Sequence, residues 1–219
     1  MRIRWYGQSA YTLSDGEHTV TIDPFAGMPD SLRERFRYPD IPAHSADLLL
    51  ITHEHADHNG ADVVTGDPHT VRATAGRFDT PVGTVTGVAS EHDDQAGTSR
   101  GPNTIFVFPL DGRTVCHFGD FGQPALRPEQ RAAIGEVDLL FIPIGGGPTL
   151  DDAQAAAVVA ELRPSWVVPM HYRTPAIDFL EPADAFLARF DRTTHAPEPE
   201  YELTDWNGAT AVLHLAPPA

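Results

Sequence analysis

An apolar run that leads directly into a dense group of metal-ligand side chains is the feature that most limits how this chain can fold. The run, residues 47–51, has the length and composition of a buried strand. His53, His55, Asp57 and His58 follow it at once. Imidazole and carboxylate groups are ligands that zinc, iron and manganese accept. Because α/β sheets keep their sites at the carboxyl ends of strands, the run predicts a metal site at one edge of a sheet.

Composition excludes several classes of protein. Of the 219 residues, 41% are hydrophobic, which is enough for the core of one domain spanning residues 1–219, and no repeat or linker is evident. Fifteen basic residues against 31 acidic ones give a net charge of −16, the wrong sign for general nucleic-acid binding. The single cysteine, Cys116, excludes an intrachain disulfide. Without a long apolar segment or a signal-like N-terminus, we expect a cytoplasmic protein that does not enter a membrane.

The local patterns predict many strands and a few short helices. Residues 1–24 are typical of a β-meander, and Asp111-Gly112 is a strong hairpin signal because both residues tolerate positive φ. Further strands are predicted at residues 47–52, 69–74, 80–89, 104–108, 113–118, 137–144 and 166–169, with a terminal hairpin over 201–203 and 209–215 around Asn207-Gly208. Helices are predicted at residues 31–36 with Ser31 as the N-cap, at 128–134, at 149–162 with Thr149 as the N-cap, and at 182–190.

Four of these predicted strands end in a residue that could bind a metal. The residues at or after the four ends are His53 onward, His92, Asp120 and His171. A lone histidine at a strand end is usually a surface or hydrogen-bonded residue, but four such endings are hard to explain by chance. The spacing excludes the His-Glu-x-x-His helix of metalloproteases, and one cysteine excludes a thiolate-based structural zinc site.

The motif His53-x-His55-x-Asp57-His58 resembles the signature of the metallo-β-lactamase fold superfamily. The resemblance continues, in the same order, through His92, Gly119-Asp120 and His171, and it includes the strand end Asp23-Pro24. Residues 143–149 and 169–174 are similar to a branch of small metal-dependent hydrolases related to ascorbate-6-phosphate lactonase. Residues 6–10 fit that branch too, with Gln8 at a position where histidine is frequent.

The resemblance implies an α/β protein, a compact αββα four-layer sandwich with a two-metal site along one edge. By the same resemblance His53, His55 and His92 would hold one metal. Asp57, His58 and His171 would hold the second, and Asp120 would bridge the two. The ions would be two divalent metals, zinc by preference with manganese or iron as alternatives, sharing a hydroxide that attacks at neutral pH. Asp57 would also be catalytic, either orienting this nucleophile or passing a proton to the leaving group.

The implied function is hydrolysis of a small ester-type molecule, a lactone or a phosphodiester, by a dinuclear zinc enzyme. Two alternatives stay open: an iron-dependent redox enzyme of the same fold and a non-catalytic metal-binding protein. Tyr172, Arg173 and Thr174 directly follow a predicted ligand and are candidate substrate contacts. The arginines at 33, 35 and 37 either form a solvated face or touch an anionic substrate. Substrate identity and homo-oligomer formation are not determined by the sequence.

Several residues near the motifs have two interpretations. Asp23 either orients the site or closes an Asx turn before proline. His69 competes with His92 as a ligand, and His92 is favoured because it closes a predicted strand whereas His69 opens one. His117 is either a hydrogen-bonding neighbour of the site or a packed core residue. The acidic residues 91, 93 and 94 either support ligands or are loop carboxylates. Residues 145–147 are expected to let a loop pass close to the metals.

Overall fold

The computed structural model describes residues 1–205 and 208–219. In these ranges the strands are, in chain order, β1 (Arg2–Gly7), β2 (Ala10–Ser14), β3 (Thr19–Ile22), β4 (His44–Ser45), β5 (Leu48–Ile51), β6 (Val64–Thr65), β7 (His69–Arg72), β8 (Gly76–Thr80), β9 (Gly83–Glu91), β10 (Pro102–Leu110), β11 (Arg113–His117), β12 (Leu139–Pro143), β13 (Trp166–Met170), β14 (Thr193–Ala196), β15 (Glu200–Glu202) and β16 (Ala211–Leu215). The helices are α1 (Asp30–Arg33), α2 (Pro128–Ile134), α3 (Asp152–Leu162) and α4 (Asp184–Leu187), with a 3-10 turn at Ala61–Val63. None of these helices is long and apolar enough to cross a membrane.

Two mixed sheets packed face to face form the body of the protein. The first has the strand order β15-β1-β2-β3-β5-β7, and the second has the order β14-β16-β13-β12-β11-β10-β9-β8. Their apolar faces meet in one buried cluster that includes Ile22 and Leu48 from the first sheet and Phe106 and Phe141 from the second. Helices α2 and α3 bury apolar side chains in the same cluster, as in a layered sandwich. The helical layers are thin because α1 and α4 have four residues each.

Strand direction brings the predicted ligand-bearing ends to one edge. Strand β5 runs parallel to β3, and β11, β12 and β13 run parallel to one another. Strand β9 is antiparallel to β10, which is antiparallel to β11, so β9 ends at the same edge as β11. The two sheets are joined at this edge, where the Thr104 N–H donates to the Thr52 carbonyl at 3.0 Å. The loops after β5, β9, β11 and β13 therefore face one another.

The hairpin predicted at Asp111-Gly112 is present, but the strand predicted over residues 80–89 needs correction. Asp111 and Gly112 have φ of 55° and 69°, as the tight turn requires. The single strand predicted over residues 80–89 is instead the end of β8, a turn, and most of β9. Pro81 lacks an N–H, and Thr80 donates its hydroxyl to the Gly83 carbonyl across the turn. The turn was missed because Val82, which lies in it, continues the regular spacing of Val85 and Val88 on β9.

The predicted terminal hairpin is wrong, and so are two predicted helix caps. Strand β15 pairs with β1 in the first sheet, whereas β16 pairs with β13 and β14 in the second. Asn207 lies outside the described residues. Asp151, not Thr149, caps α3, because its carboxylate accepts from the N–H groups of Ala153 and Gln154. Helix α1 follows Pro29 and begins before Ser31, without a side-chain cap.

Candidate metal centre

One oxygen of Asp120 is the meeting point of three imidazoles. Asp120 Oδ2 lies 3.3 Å from Nε2 of His58, 3.2 Å from Nε2 of His92 and 3.2 Å from Nε2 of His171. The four residues lie in the loops after four different strands, β5, β9, β11 and β13, and all four side chains are buried. The convergence is thus a product of the tertiary fold rather than of local sequence.

Three overlapping groups of donor atoms surround this point. Within each group the atoms lie within 4.8 Å of one another, and the groups are His53, His55 and His92; His53, His58 and Asp120; and Asp57, His58 and His171. On one side, Nε2 of His53 faces Nδ1 of His55 at 3.1 Å. On the other, Asp57 Oδ2 lies 3.6 Å from Nε2 of His58. The structure therefore brings together all seven residues predicted as ligands.

Hydrogen bonds fix which imidazole nitrogen faces the centre. His58 donates from Nδ1 to Asp23 Oδ2 at 2.9 Å, and its buried Nε2 faces the centre without a hydrogen-bond partner among the described residues. His53 Nδ1 lies 3.0 Å from Thr52 Oγ1, whose own proton goes to Asp23. His92 Nδ1 faces the Pro148 carbonyl at 3.3 Å. Ligating imidazoles are usually held in this way through the nitrogen that does not bind the metal, so the donor set fits a divalent cation.

The second oxygen and the backbone of Asp120 are also held. Ser9 donates its hydroxyl to Asp120 Oδ1 at 3.3 Å, and the Asp120 N–H donates to Asn103 Oδ1 at 3.1 Å. His117 packs behind this contact, with Nε2 3.0 Å from the Ser9 carbonyl and Nδ1 accepting from the Gly119 N–H. His117 is therefore both a core residue and a hydrogen-bonding neighbour of the site. Sequence reasoning gave no role to Ser9, although it lies in the segment 6–10, and no local pattern marks Asn103.

Close backbone approach explains two glycines beside the ligands. A Cβ on Gly119, which has φ of 55°, would lie 2.4 Å from Asn103 Oδ1. A Cβ on Gly145 would lie 2.2 Å from the His171 carbonyl oxygen. His171 itself has φ of 50°, a left-handed conformation that non-glycine residues rarely adopt and that often marks functional sites. The expectation that residues 145–147 pass close to the site therefore holds at Gly145.

The carboxylates and imidazoles of the cluster shift one another's pKa values. Burial raises the pKa of Asp120, but His171, His58 and His92 outweigh it and hold that pKa well below its ordinary value. Burial lowers the pKa of His58, yet Asp120, Asp57 and Asp23 raise it well above the ordinary value. Burial and the neighbouring His58 lower the pKa of His53, so its imidazole stays neutral. The ionised Asp120 carboxylate and the neutral His53 imidazole are donors that borderline divalent metals accept.

A cleft of about 440 Å³ opens over the ligands. Its lining includes His55, Asp57, His92, Asp120 and His171 from the ligand set, together with Gln8, Leu32, Arg35, Ala56, Arg100, Pro148 and Phe179. A volume of this size suits a small molecule. Asp57 is only partly buried and faces this cleft, unlike the fully buried His58 beside it.

A family model described as a β-lactamase superfamily domain matches residues 2–171. The chain belongs to this superfamily. A UPF0173 metal-dependent hydrolase from Pyrobaculum calidifontis is 32% identical over 229 residues, covering 90% of this chain and 94% of the relative. A UPF0173 metal-dependent hydrolase from Pyrococcus abyssi is 29% identical over 201 residues, covering 80% of this chain and 85% of the relative. A metallo-β-lactamase superfamily structure from Thermotoga maritima has a TM-score of 0.78 and 29% identity, covering 98% of this chain and 97% of its own. The predicted metallo-β-lactamase fold is thereby confirmed.

In this β-lactamase superfamily member the candidate substrate contacts after His171 are not in the cleft. Tyr172 is buried and packs against Trp5, with ring centroids 5.5 Å apart. Thr174 shares a 2.8 Å hydrogen bond with the Tyr38 hydroxyl, and Arg173 donates to the Leu180 carbonyl. The backbone turn at His171 directs the following residues away from the ligands. The cleft is lined instead by Phe179, further along the same loop, and by residues from several other loops.

Other charged residues close to the motif in sequence do not belong to the donor groups. Glu54, inside the first motif, points outward and forms a two-bond ion pair with Arg72. Asp93 accepts four backbone N–H groups from the loop that follows it, so it is a loop-forming carboxylate. His69 is exposed on β7, away from the donor groups, whereas His92 lies within them.

Proposed function

We propose that this protein is a single-domain, metal-dependent hydrolase that cleaves small ester-type substrates, lactones or phosphodiesters, with two divalent metal ions. The observation that carries the proposal is the position of Asp120 Oδ2, 3.2–3.3 Å from three imidazole nitrogens. A carboxylate so placed suits a bridge between two ions, since separate donor groups lie on either side of it. The relatives from Pyrobaculum calidifontis and Pyrococcus abyssi are named metal-dependent hydrolases, which supports the reaction class.

Zinc is the metal we favour. The donors are imidazole and carboxylate, with no thiolate in the group, and the description of the Thermotoga maritima structure names zinc. Manganese and iron accept the same donors. When bound, such ions would acidify a water molecule and polarise the scissile carbonyl or phosphoryl oxygen.

The chain's own residues would orient the substrate and move the proton. Asp57 faces the cleft at the substrate side of the donor groups, within 3.6 Å of His58 Nε2. It would take the proton that the attacking water loses as the new bond to carbon or phosphorus forms. It would return that proton to the leaving oxygen as the ester bond to that oxygen breaks. Asp23, Ser9 and Asn103 would hold His58 and Asp120 in place.

Metal analysis combined with a substrate panel tests this function. We expect close to two ions per chain and hydrolysis of at least one lactone or phosphodiester in a broad panel. Asp57→Asn should lower kcat by roughly 10²–10⁴-fold and flatten the pH profile, because general acid–base catalysis is lost. The exposed Asp62→Asn is the matched control.

Four outcomes would contradict the proposal. One is metal-replete protein with fewer than one ion per chain. Another is full activity in Asp57→Asn at unchanged metal content. The third is iron with turnover that depends on O₂ or thiol, which would favour a redox enzyme instead. A fully metallated protein that turns over no substrate would favour a metal-binding role.

A further inference from the structure

Two exposed apolar side chains converge on the mouth of the cleft. Leu32, on α1, is 40% exposed, and Phe179, in the loop after β13, is 47% exposed. They are the only large apolar side chains in the described ranges that are exposed to this degree, and both line the cleft over the donor groups. Single exposed apolar residues need no explanation, but two from distant segments at one site favour contact with an apolar part of a ligand.

Two arginines without carboxylate partners line the same cleft. Arg35 stacks on Phe179, with Cζ 4.1 Å from the ring centroid, and Arg100 projects from the loop after His92. In the part of the chain that the structure describes, neither guanidinium is within ion-pair distance of an acidic side chain. A guanidinium left unpaired beside a cleft is suited to bind a carboxylate or phosphate.

The two other arginines of the same segment as Arg35 have partners of their own. Arg33 pairs with Asp30 at 3.2 Å, and Arg37 lies 3.6 Å from Asp178 and donates to the Pro175 carbonyl. Of the three arginines in this segment, only Arg35 faces the cleft. The backbone that carries Arg100 is held too, since its N–H donates to Asp93 Oδ2 at 2.7 Å.

Gln8 adds a polar group to the floor of the cleft. Its side chain is 1% exposed, and Oε1 has no hydrogen-bond partner among residues 1–205 and 208–219. A buried polar atom without a partner is costly, so such atoms are usually satisfied by a ligand or an ordered water. Gln8 lines the cleft together with Asp57 and Asp120. The floor is thus polar and the mouth combines apolar and cationic groups.

We propose that the cleft selects a small amphipathic anion. Its carboxylate or phosphate group would be bound by Arg35 and Arg100, and its apolar part would pack on Leu32 and Phe179. The ester bond would then lie over the donor groups beside Gln8. The inference rests on the proposed hydrolase function and narrows its substrates to esters that carry a separate negative charge. The volume of about 440 Å³ accommodates a molecule of this kind.

Binding measurements test the cleft independently of turnover. The probe is 4-phenylbutyrate, compared by calorimetry with its neutral amide and with butyrate. Each is measured on metal-loaded protein and on protein stripped by a chelator, so that carboxylate binding to the metals is separated from binding to the arginines. We expect 4-phenylbutyrate to bind at least tenfold more tightly than either comparison ligand in both forms. Its affinity should fall as ionic strength rises, because the arginines are exposed.

Variants assign this preference to the named residues. Arg35→Gln with Arg100→Gln should lower the affinity for 4-phenylbutyrate by at least tenfold and leave the amide unaffected. Phe179→Ser should abolish the advantage of 4-phenylbutyrate over butyrate. Arg77→Gln, an exposed arginine on β8 outside the cleft lining, is the matched control. Metal content should equal that of the wild type in every variant.

The outcomes separate failure of this inference from failure of the proposed function. Equal affinity for the acid and the amide, or unchanged affinity in the double arginine variant, would overturn the inference. A kinetic result would overturn it too. If the ratio of kcat/KM for an anionic phenyl ester to kcat/KM for a neutral one is the same in the double arginine variant as in the wild type, the arginines do not select the anion. If arginine-dependent binding of 4-phenylbutyrate is found but no ester is hydrolysed, the anion site stands and the hydrolase function fails.

Discussion

Asp23 accepts a 2.9 Å hydrogen bond from His58 Nδ1, and both side chains are fully buried. The same carboxylate accepts from the Thr52 N–H at 2.8 Å and from the Thr52 hydroxyl at 2.7 Å. It therefore ties the end of β3 to the end of β5 and sets the orientation of the His58 ring. Asp23 thus orients the site, rather than merely closing a turn before proline.

Asp23→Asn should weaken metal binding by roughly 10–100-fold, the usual effect of removing a hydrogen-bond acceptor behind a ligand histidine. The amide is close in shape but neutral, so it supports the imidazole less well. Competition with a chromogenic chelator measures the affinity, and circular dichroism of the metal-free form checks the fold. Asp67→Asn, an exposed aspartate before β7, is the control. Wild-type affinity in folded Asp23→Asn would contradict the role assigned to this carboxylate.

His55→Ala and His171→Ala should each remove a different ion. His55 belongs to the donor group with His53 and His92, whereas His171 belongs to the group with Asp57 and His58. We expect each variant to retain one ion per chain after dialysis against graded chelator, measured by elemental analysis. His69→Ala, which alters an exposed histidine outside the groups, should retain the wild-type content. Loss of both ions from either variant, or of none, would show that the centre is not two separable sites.

The sequence was sufficient to predict which His and Asp side chains meet at the sheet edge, because those residues belong to recognisable motifs or follow predicted strands. His92 could be chosen over His69 because it closes a strand, and the structure places it among the donor groups. The supporting contacts could not be predicted in this way. Asp23 meets His58 only because β3 and β5 are neighbours in the sheet, a pairing between residues 35 apart. No spacing in the chain encodes that adjacency.

The same reasoning explains the errors at the cleft and at the C-terminus. Tyr172 and its neighbours were favoured because they follow a ligand in sequence, but the left-handed backbone at His171 turns them away. Arg35, Arg100 and Phe179 lie on irregular loops, whose paths depend on packing rather than on periodicity. Strands β15 and β16 alternate well enough to suggest a hairpin, yet each pairs with a strand of a different sheet. Which strand a segment pairs with depends on the sheet that its apolar side chains pack against, and the local sequence pattern does not identify that sheet.

Gly145→Ala should damage the site although residue 145 is not a ligand. The added methyl would lie 2.2 Å from the His171 carbonyl oxygen, so the backbone carrying His171 must move. We expect a loss of about 1–3 kcal/mol in the free energy of unfolding, typical of overpacking. Affinity for the ion held by His171 should fall as well. Denaturant titration and chelator competition measure the two effects, and wild-type values in both would contradict the close approach.

Glu54→Gln should have little effect even though Glu54 lies inside the first motif. Its side chain is half exposed and pairs with Arg72, so the lost interaction should cost no more than about 1 kcal/mol. Metal content and kcat should stay within twofold of the wild-type values, because the carboxylate belongs to none of the donor groups. Loss of an ion from Glu54→Gln would mean that the loop reorganises when metal binds.

Asp93→Asn should reduce stability in a way that depends on pH. Desolvation favours the protonated form of Asp93, but N–H groups of Arg100, Gln95, Gly97 and Ser99 outweigh it and lower the pKa to about 2. Because an unfolded aspartate has a pKa of about 3.9, the stabilising contribution is fully present above about pH 4 and is lost as the pH falls towards about 2. The difference in unfolding free energy between wild type and Asp93→Asn should therefore shrink over this window. Urea titrations of chelator-treated protein measure it, with the exposed Asp94→Asn as control. A difference that stays constant from pH 6 to pH 2 would show that Asp93 does not act through its charge.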